Sequence, residues 1–275
     1  MESIDWKSLE FRCTWEAKPG PPRDDEAEHW YQTANRLYKS GTEKQLVEHA
    51  QLLRRAAERG HIKAMNNLVL AYLNGDGVEQ SDKQAVHWAE EMMKLESGRG
   101  YYHMGTFLEQ GIGVKQDRKA ALTYFRKAAD LGNPQGQLVV GKTMLIAFYP
   151  PEVPEKEQGF KIATRILQCA LDQKLAEAGY ELGFHFATMT RIGYKNQTAE
   201  ALQAFQAAAK LGNDDSLFWL YDAFNDGNKG VEKDPKRAAT YYQLLEEVRE
   251  DKTKRFPNLD QLCPLPLKPM TGDLK

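Results

Sequence analysis

The sequence predicts an all-α fold: a right-handed α-solenoid of about six helix-turn-helix repeats with extended N- and C-terminal tails. Three observations predict it. The first is self-similarity, since AMNNLVLAYLNGDGVEQSDKQAVHWAEEM from Ala64 recurs as GYYHMGTFLEQGIGVKQDRKAALTYFRKA from Gly100. Gly75, Gly77 and Val78 return at Gly111, Gly113 and Val114, and SLFWLYDAFNDGNKGVEKDPKRAATYYQLL from Ser216 is a later copy. The second is the helical spacing of apolar residues within each copy, as in Ala120, Leu122, Tyr124, Phe125 and Ala128. The third is regular punctuation, with ERGH, ESGR, LGNP and LGND between copies. A period of this length marks supersecondary units that cannot bury their apolar faces alone and must stack.

The elements follow in order. Each first helix ends in a Gly-rich turn, where Gly75 or Gly111 can adopt the left-handed conformation that closes a helix. Each second helix opens at a capping residue: Ser81 or Asp82, Asp117, Thr198 and Asp234, the last followed by Pro235 at the favoured first helical position. The pairs are Ala27–Gly60, His61–Gly98, Arg99–Gly132, Asn133–Lys174, Leu175–Gly212 and Asn213–Glu250. The fourth carries YPPEVPEKEQG from Tyr149, whose prolines predict a projecting loop rather than a helix. The organisation is a tail over residues 1–26, an array over 27–250 and a Pro-rich tail over 251–275.

Composition excludes several classes. A net charge of -2 without a dense Lys/Arg cluster gives no electrostatic footprint for nucleic acid. No segment reaches the roughly 18 apolar residues of a transmembrane span. The start, MESIDWKSLEFRC, has neither the basic nor the apolar region of a secretory signal. Cys13, Cys169 and Cys263 form no CxxC and the histidines no HExxH, so no metal or cofactor is expected. Cys169 falls on the apolar side of a helix and reads as a core thiol. Cys13 and Cys263 lie in the two tails, either unpaired or joined to each other in an oxidising compartment.

One motif points elsewhere. GQLVVGKT, Gly136 to Thr143, satisfies the phosphate-binding pattern G-x-x-x-x-G-K-[ST]. A working phosphate loop needs a preceding strand and free backbone amides. Here the preceding segment, ALTYFRKAADLG, is helical, and Gly136 falls in register with Ala64 and Gly100. The match is a coincidence of repeat spacing, and neither nucleotide binding nor catalysis is expected.

The pattern A-x-x-x-L-G-x-x-Y-x-x-G-x-G-V…D-x-x-K-A-x-x-Y-x-x-K-A-A-x-x-G resembles the Sel-one-like repeat, a TPR-related helical pair, and Gly100–Gly132 carries it nearly complete. The resemblance implies an α-solenoid whose concave surface binds other proteins. FRCTWEAKPGPP, AAERGHIKAMNNL, GRGYYHMGTFLEQGIGV and LCPLPLKP are similar to a bacterial subfamily of type VI secretion immunity proteins paired with phospholipase D-type effectors. That resemblance implies a periplasmic immunity protein that binds and neutralises its cognate phospholipase stoichiometrically. It also implies a lipid anchor if a native lipoprotein signal was removed. The alternative is a general adaptor or scaffold in bacterial signalling or envelope assembly. A phospholipase role for the chain itself fails, because His61-Ile62-Lys63 begins H-x-K-x-x-x-x-D but Leu68 stands at the Asp position.

Partner-binding candidates are the non-consensus residues of the first helices. Asn66 and Asn67 can hydrogen-bond a partner backbone or cap the neighbouring repeat. Tyr102, His103 and Phe107 form an aromatic-rich segment of the kind enriched at hot spots. Lys142 is expected as a surface or groove lysine able to meet an acidic partner, and Trp219 and Asp222, three apart, share a helix face. His185, among aromatics, reads as structural.

Overall fold

The computed structural model describes residues 9–15, 24–148, 154–191 and 197–266. Among them, twelve long helices form six consecutive pairs. They are α1 (Asp25–Ser40) with α2 (Glu43–Glu58), α3 (Ile62–Asn74) with α4 (Asp82–Lys94), and α5 (Gly98–Gln110) with α6 (Arg118–Asp130). Then come α7 (Pro134–Ala147) with α8 (Pro154–Asp172), α9 (Ala176–Arg191) with α10 (Thr198–Lys210), and α11 (Asp214–Asp226) with α12 (Pro235–Glu250). A short α13 (Leu259–Leu262) follows. The architecture is an all-α solenoid. Two compact units divide inside α7, Phe11–Val140 and the residues from Gly141 onward.

Local chemistry explains the boundaries. The side chains of Ser81, Asp117 and Asp234 each accept the backbone N–H three residues on, satisfying an orphan donor of a second helix. Thr198 does not cap: Gln197 precedes α10 without a side-chain hydrogen bond, and Thr198 is the first helical residue. Gly75 and Gly111 close α3 and α5 with φ of 82° and 78°. Between repeats the left-handed residue is Gly60, Gly132 or Gly212, but at the second junction it is Glu96 and at the fourth Lys174. The predicted boundary at Gly98 therefore shifts, and Gly98 opens α5. A Cβ there would lie 3.0 Å from that of Asn133, a tight fit.

The insertion also differs from expectation. Residues 149–153 lie outside the described set, and the rest of the predicted loop is helical, because α8 starts at Pro154. Proline is tolerated in a first turn, where the missing N–H would have no partner.

Each unit has its own core. In the first, Leu53, Leu68, Met92 and Phe107 are almost completely buried. In the second, Phe205, Leu220, Phe224 and Tyr241 play this part. The glycine following the recurring apolar position of a first helix is a seat for the paired second helix. A Cβ on Gly105 would sit 2.7 Å from the ring of Phe125, and one on Gly183 would sit 2.7 Å from that of Phe205.

The described parts of the tails pack onto the helices. Phe11 is buried, Thr14 Oγ1 donates to the Asp130 carbonyl (2.8 Å), and Gln137 Nε2 donates to that of Thr14 (3.1 Å). At the other end Phe256, Leu259 and Cys263 enter the second core. The described part of the C-terminal tail is thus partly helical rather than wholly extended.

Candidate functional site

The first helices present one recurring register. Asn67, His103, Glu181 and Trp219 each immediately precede a buried core residue: Leu68, Met104, Leu182 and Leu220. Phe184 and Asp222 each stand two places beyond that core residue, and Lys142 stands two beyond the buried Val140. Helical geometry turns each of these positions away from the core of its own unit.

In the first unit they build a polar ladder. Asn67 Nδ2 donates to Asn35 Oδ1 (3.2 Å), Asn66 Nδ2 to Asn67 Oδ1 (3.4 Å), and His103 Nε2 to Asn66 Oδ1 (2.9 Å). The chain of bonds links α1, α3 and α5, so these side chains join neighbouring repeats. Burial pushes the His103 imidazole down to about 4, with the Arg99 charge adding to the effect, so the ring is neutral at pH 7. Tyr102 packs against Phe125 with ring centroids 5.8 Å apart. Phe107 is 1% exposed and belongs to the core, which corrects its expected role as a contact residue.

In the second unit the same register mixes aromatic and charged side chains and borders clefts. Phe184, Trp219, Ala187, Thr188, Arg191 and Lys229 line a cleft of about 480 Å³. Lys142, Leu145, Ile146, Glu181 and His185 line a second of about 370 Å³, and Phe184 and Thr188 border both. Trp219 is held from beneath by the buried Phe205, the rings stacked at 4.1 Å and 22°. Lys229 lies 4.8 Å over the Trp219 ring and pairs with Asp222, from a strained left-handed backbone at φ 58°. Lys142 Nζ pairs with Glu181 at 2.6 Å. His185 packs 4.5 Å from the Phe160 ring centroid, and desolvation lowers its pKa to about 4, as suits a structural histidine. Glu181, Phe184, Arg191 and Lys229 were not singled out by motif reading. The repeat register carries the signal for the first two.

Chemistry elsewhere is spoken for. GQLVVGKT lies wholly within α7. The Gly136 amide is taken by Asn133 Oδ1 at 2.9 Å, and Cβ atoms on Gly136 and Gly141 would meet Ala128 at 2.7 Å and Leu167 at 2.6 Å. These glycines serve helix packing, and no loop exists to wrap a phosphate. Of the two alternatives for Cys13 and Cys263, a bridge between them is not made: Cys263 is a free thiol enclosed in the second core. Cys13 and Cys169 are each disulfide-bonded, so Cys169 is not the core thiol its helical position suggested. Among the described residues no three His, Cys, Asp or Glu side chains group as metal ligands, and no helix is long and apolar enough to cross a membrane.

Stacked helical pairs with side-chain clefts define a helical repeat protein. Residues 50–61, 62–92, 98–133 and 206–245 match the model of the Sel1 repeat, and the chain belongs to the Sel1 repeat family. Among solved structures it is similar to immunity protein Pa5087 from Pseudomonas aeruginosa, at 32% identity and TM-score 0.67 over 96% of this chain and 97% of that one. It is likewise similar to immunity protein PA5088 from the same organism, at 29% identity and TM-score 0.72 over 95% and 96%. Protein sel-1 homolog 2 from Mus musculus is 30% identical over 118 residues, 42% of this chain. The chain spans only 17% of that relative's length.

Proposed function

We propose that the protein is an immunity protein that binds and neutralises a type VI secretion phospholipase effector by stoichiometric protein–protein interaction, without catalysis of its own. The observation that carries this reading is similarity along nearly the whole chain to proteins named as immunity proteins, at about 30% identity. The phospholipase class rests on the tail and loop segments that resemble the corresponding subfamily. Periplasmic placement agrees with the disulfide state of Cys13 and Cys169, since such bonds persist in oxidising compartments. Inhibition on this reading is occlusion: a preformed surface covers the route by which substrate or membrane reaches the enzyme.

The test is reconstitution. A phospholipase D-type effector of the source organism is purified and assayed on vesicles with increasing amounts of the protein. Activity should fall linearly to zero near a 1:1 ratio, and full activity at large excess would sink the reading.

A further inference from the structure

We infer that the paired clefts around Phe184 anchor an acidic, apolar segment of the partner protein. This rests on the reading of the chain as a protein-binding module and specifies where and by what chemistry it binds.

The apolar evidence lies on three successive first helices. Ile146 on α7 is 76% exposed and Phe184 on α9 is 52% exposed, and Trp219 on α11 completes the row. Apolar surface gathered around concavities, rather than scattered singly, marks an interaction site. Phe184 separates the two clefts, so apolar side chains entering on either side would both pack on its ring. The Trp219 ring is already immobilised on Phe205, so binding there orders little that was free.

Charge selects the occupant. The walls carry three cations, Lys142, Arg191 and Lys229, against one acid, Glu181. Lys142 is matched by Glu181 and Lys229 by Asp222, whereas Arg191 has no ion pair among the described residues. A segment with a carboxylate beside its apolar side chains gains that cation, and a basic segment meets uncompensated repulsion.

The experiment uses the full chain and the catalytically inactivated phospholipase as probe, with affinity read by calorimetry. Phe184→Ala should weaken binding about 30-fold or more and Arg191→Glu about tenfold, the scale of interface hot spots. Leu122→Ala, which trims an exposed apolar residue on the second helix α6, should change nothing. Both cleft residues are exposed, so thermal melts of the variants should match the parent. If the phospholipase binds and both variants bind within twofold of the parent, the cleft inference falls while the immunity reading stands. If the phospholipase does not bind at all, the immunity reading falls, and a random dodecapeptide library is panned on the chain instead. Acidic–apolar peptides that lose binding on Phe184→Ala then support the clefts as a docking site. No enrichment, or enrichment of basic peptides, overturns it. So does Phe184-dependent binding of oleate vesicles or Phe184-dependent self-association in sedimentation.

Discussion

His103 Nε2 donates to Asn66 Oδ1 across 2.9 Å, tying α5 to α3 through a neutral imidazole. A second neutral imidazole, His185, is buried against Phe160 in the other unit. Both hold pKa values of about 4 in the fold against an ordinary 6.5. As pH falls through 6.5 the unfolded chain takes up protons first, so native stability is complete above that value and declines toward pH 4. The expected loss is about 1–2 kcal/mol per histidine, the lower figure applying to the partly exposed His103. Urea midpoints measured from pH 7 to 4.5 should fall for the parent and fall less for His103→Gln. Identical slopes would show that His103 is not responsible.

Tyr241 Oη donates to Gln206 Oε1 at 2.6 Å, while Gln206 Nε2 donates to the Cys263 carbonyl at 2.9 Å. Tyr241 and Gln206 are both buried. Tyr241→Phe leaves a buried amide oxygen short of a donor at a cost of about 1–3 kcal/mol. Equilibrium denaturation should register this, and unchanged stability would mean that the amide finds another partner.

Gly183 faces the fully buried ring of Phe205 at less than contact distance for a Cβ. Alanine is the better helix former by about 1 kcal/mol, yet the overpacking at this seat should outweigh the gain. Gly183→Ala should lower the melting temperature. A rise would show that the α9–α10 pair can spread at no cost.

The cysteines divide two to one. Alkylation of the unreduced chain in denaturant should add one label, on Cys263, and reduction should raise the count to three. Labelling of Cys13 before reduction would contradict the assignment.

Lys142 in GQLVVGKT is committed to Glu181, and the motif is helical throughout. Titration with ATP or GTP should release no heat, and Lys142→Ala should cost no more than about 1 kcal/mol, the value of a half-exposed ion pair.

What the sequence determined by itself is the repeat and its local chemistry. Six helix pairs, the Gly75 and Gly111 closures, and the caps at Ser81, Asp117 and Asp234 are near-neighbour effects written in residue spacing. The same spacing exposed GQLVVGKT as a helix, since Gly136 and Gly141 fall in the repeat register. What only the tertiary structure decided is everything that depends on residues far apart in the chain. Phe107 and Tyr102 belong to one aromatic run, but one is enclosed and the other reaches the surface. Asn66 meets His103, and Trp219 becomes a fixed wall because Phe205 lies beneath it. The clefts around Phe184 arise the same way, from side chains of separate helices brought together by stacking. The left-handed turn falls on Glu96, the residue before the Ser97 cap, as it falls on Gly60 before His61 and Gly212 before Asn213. Periodicity sets which way a side chain points along its own helix, and packing between helices sets what it meets there.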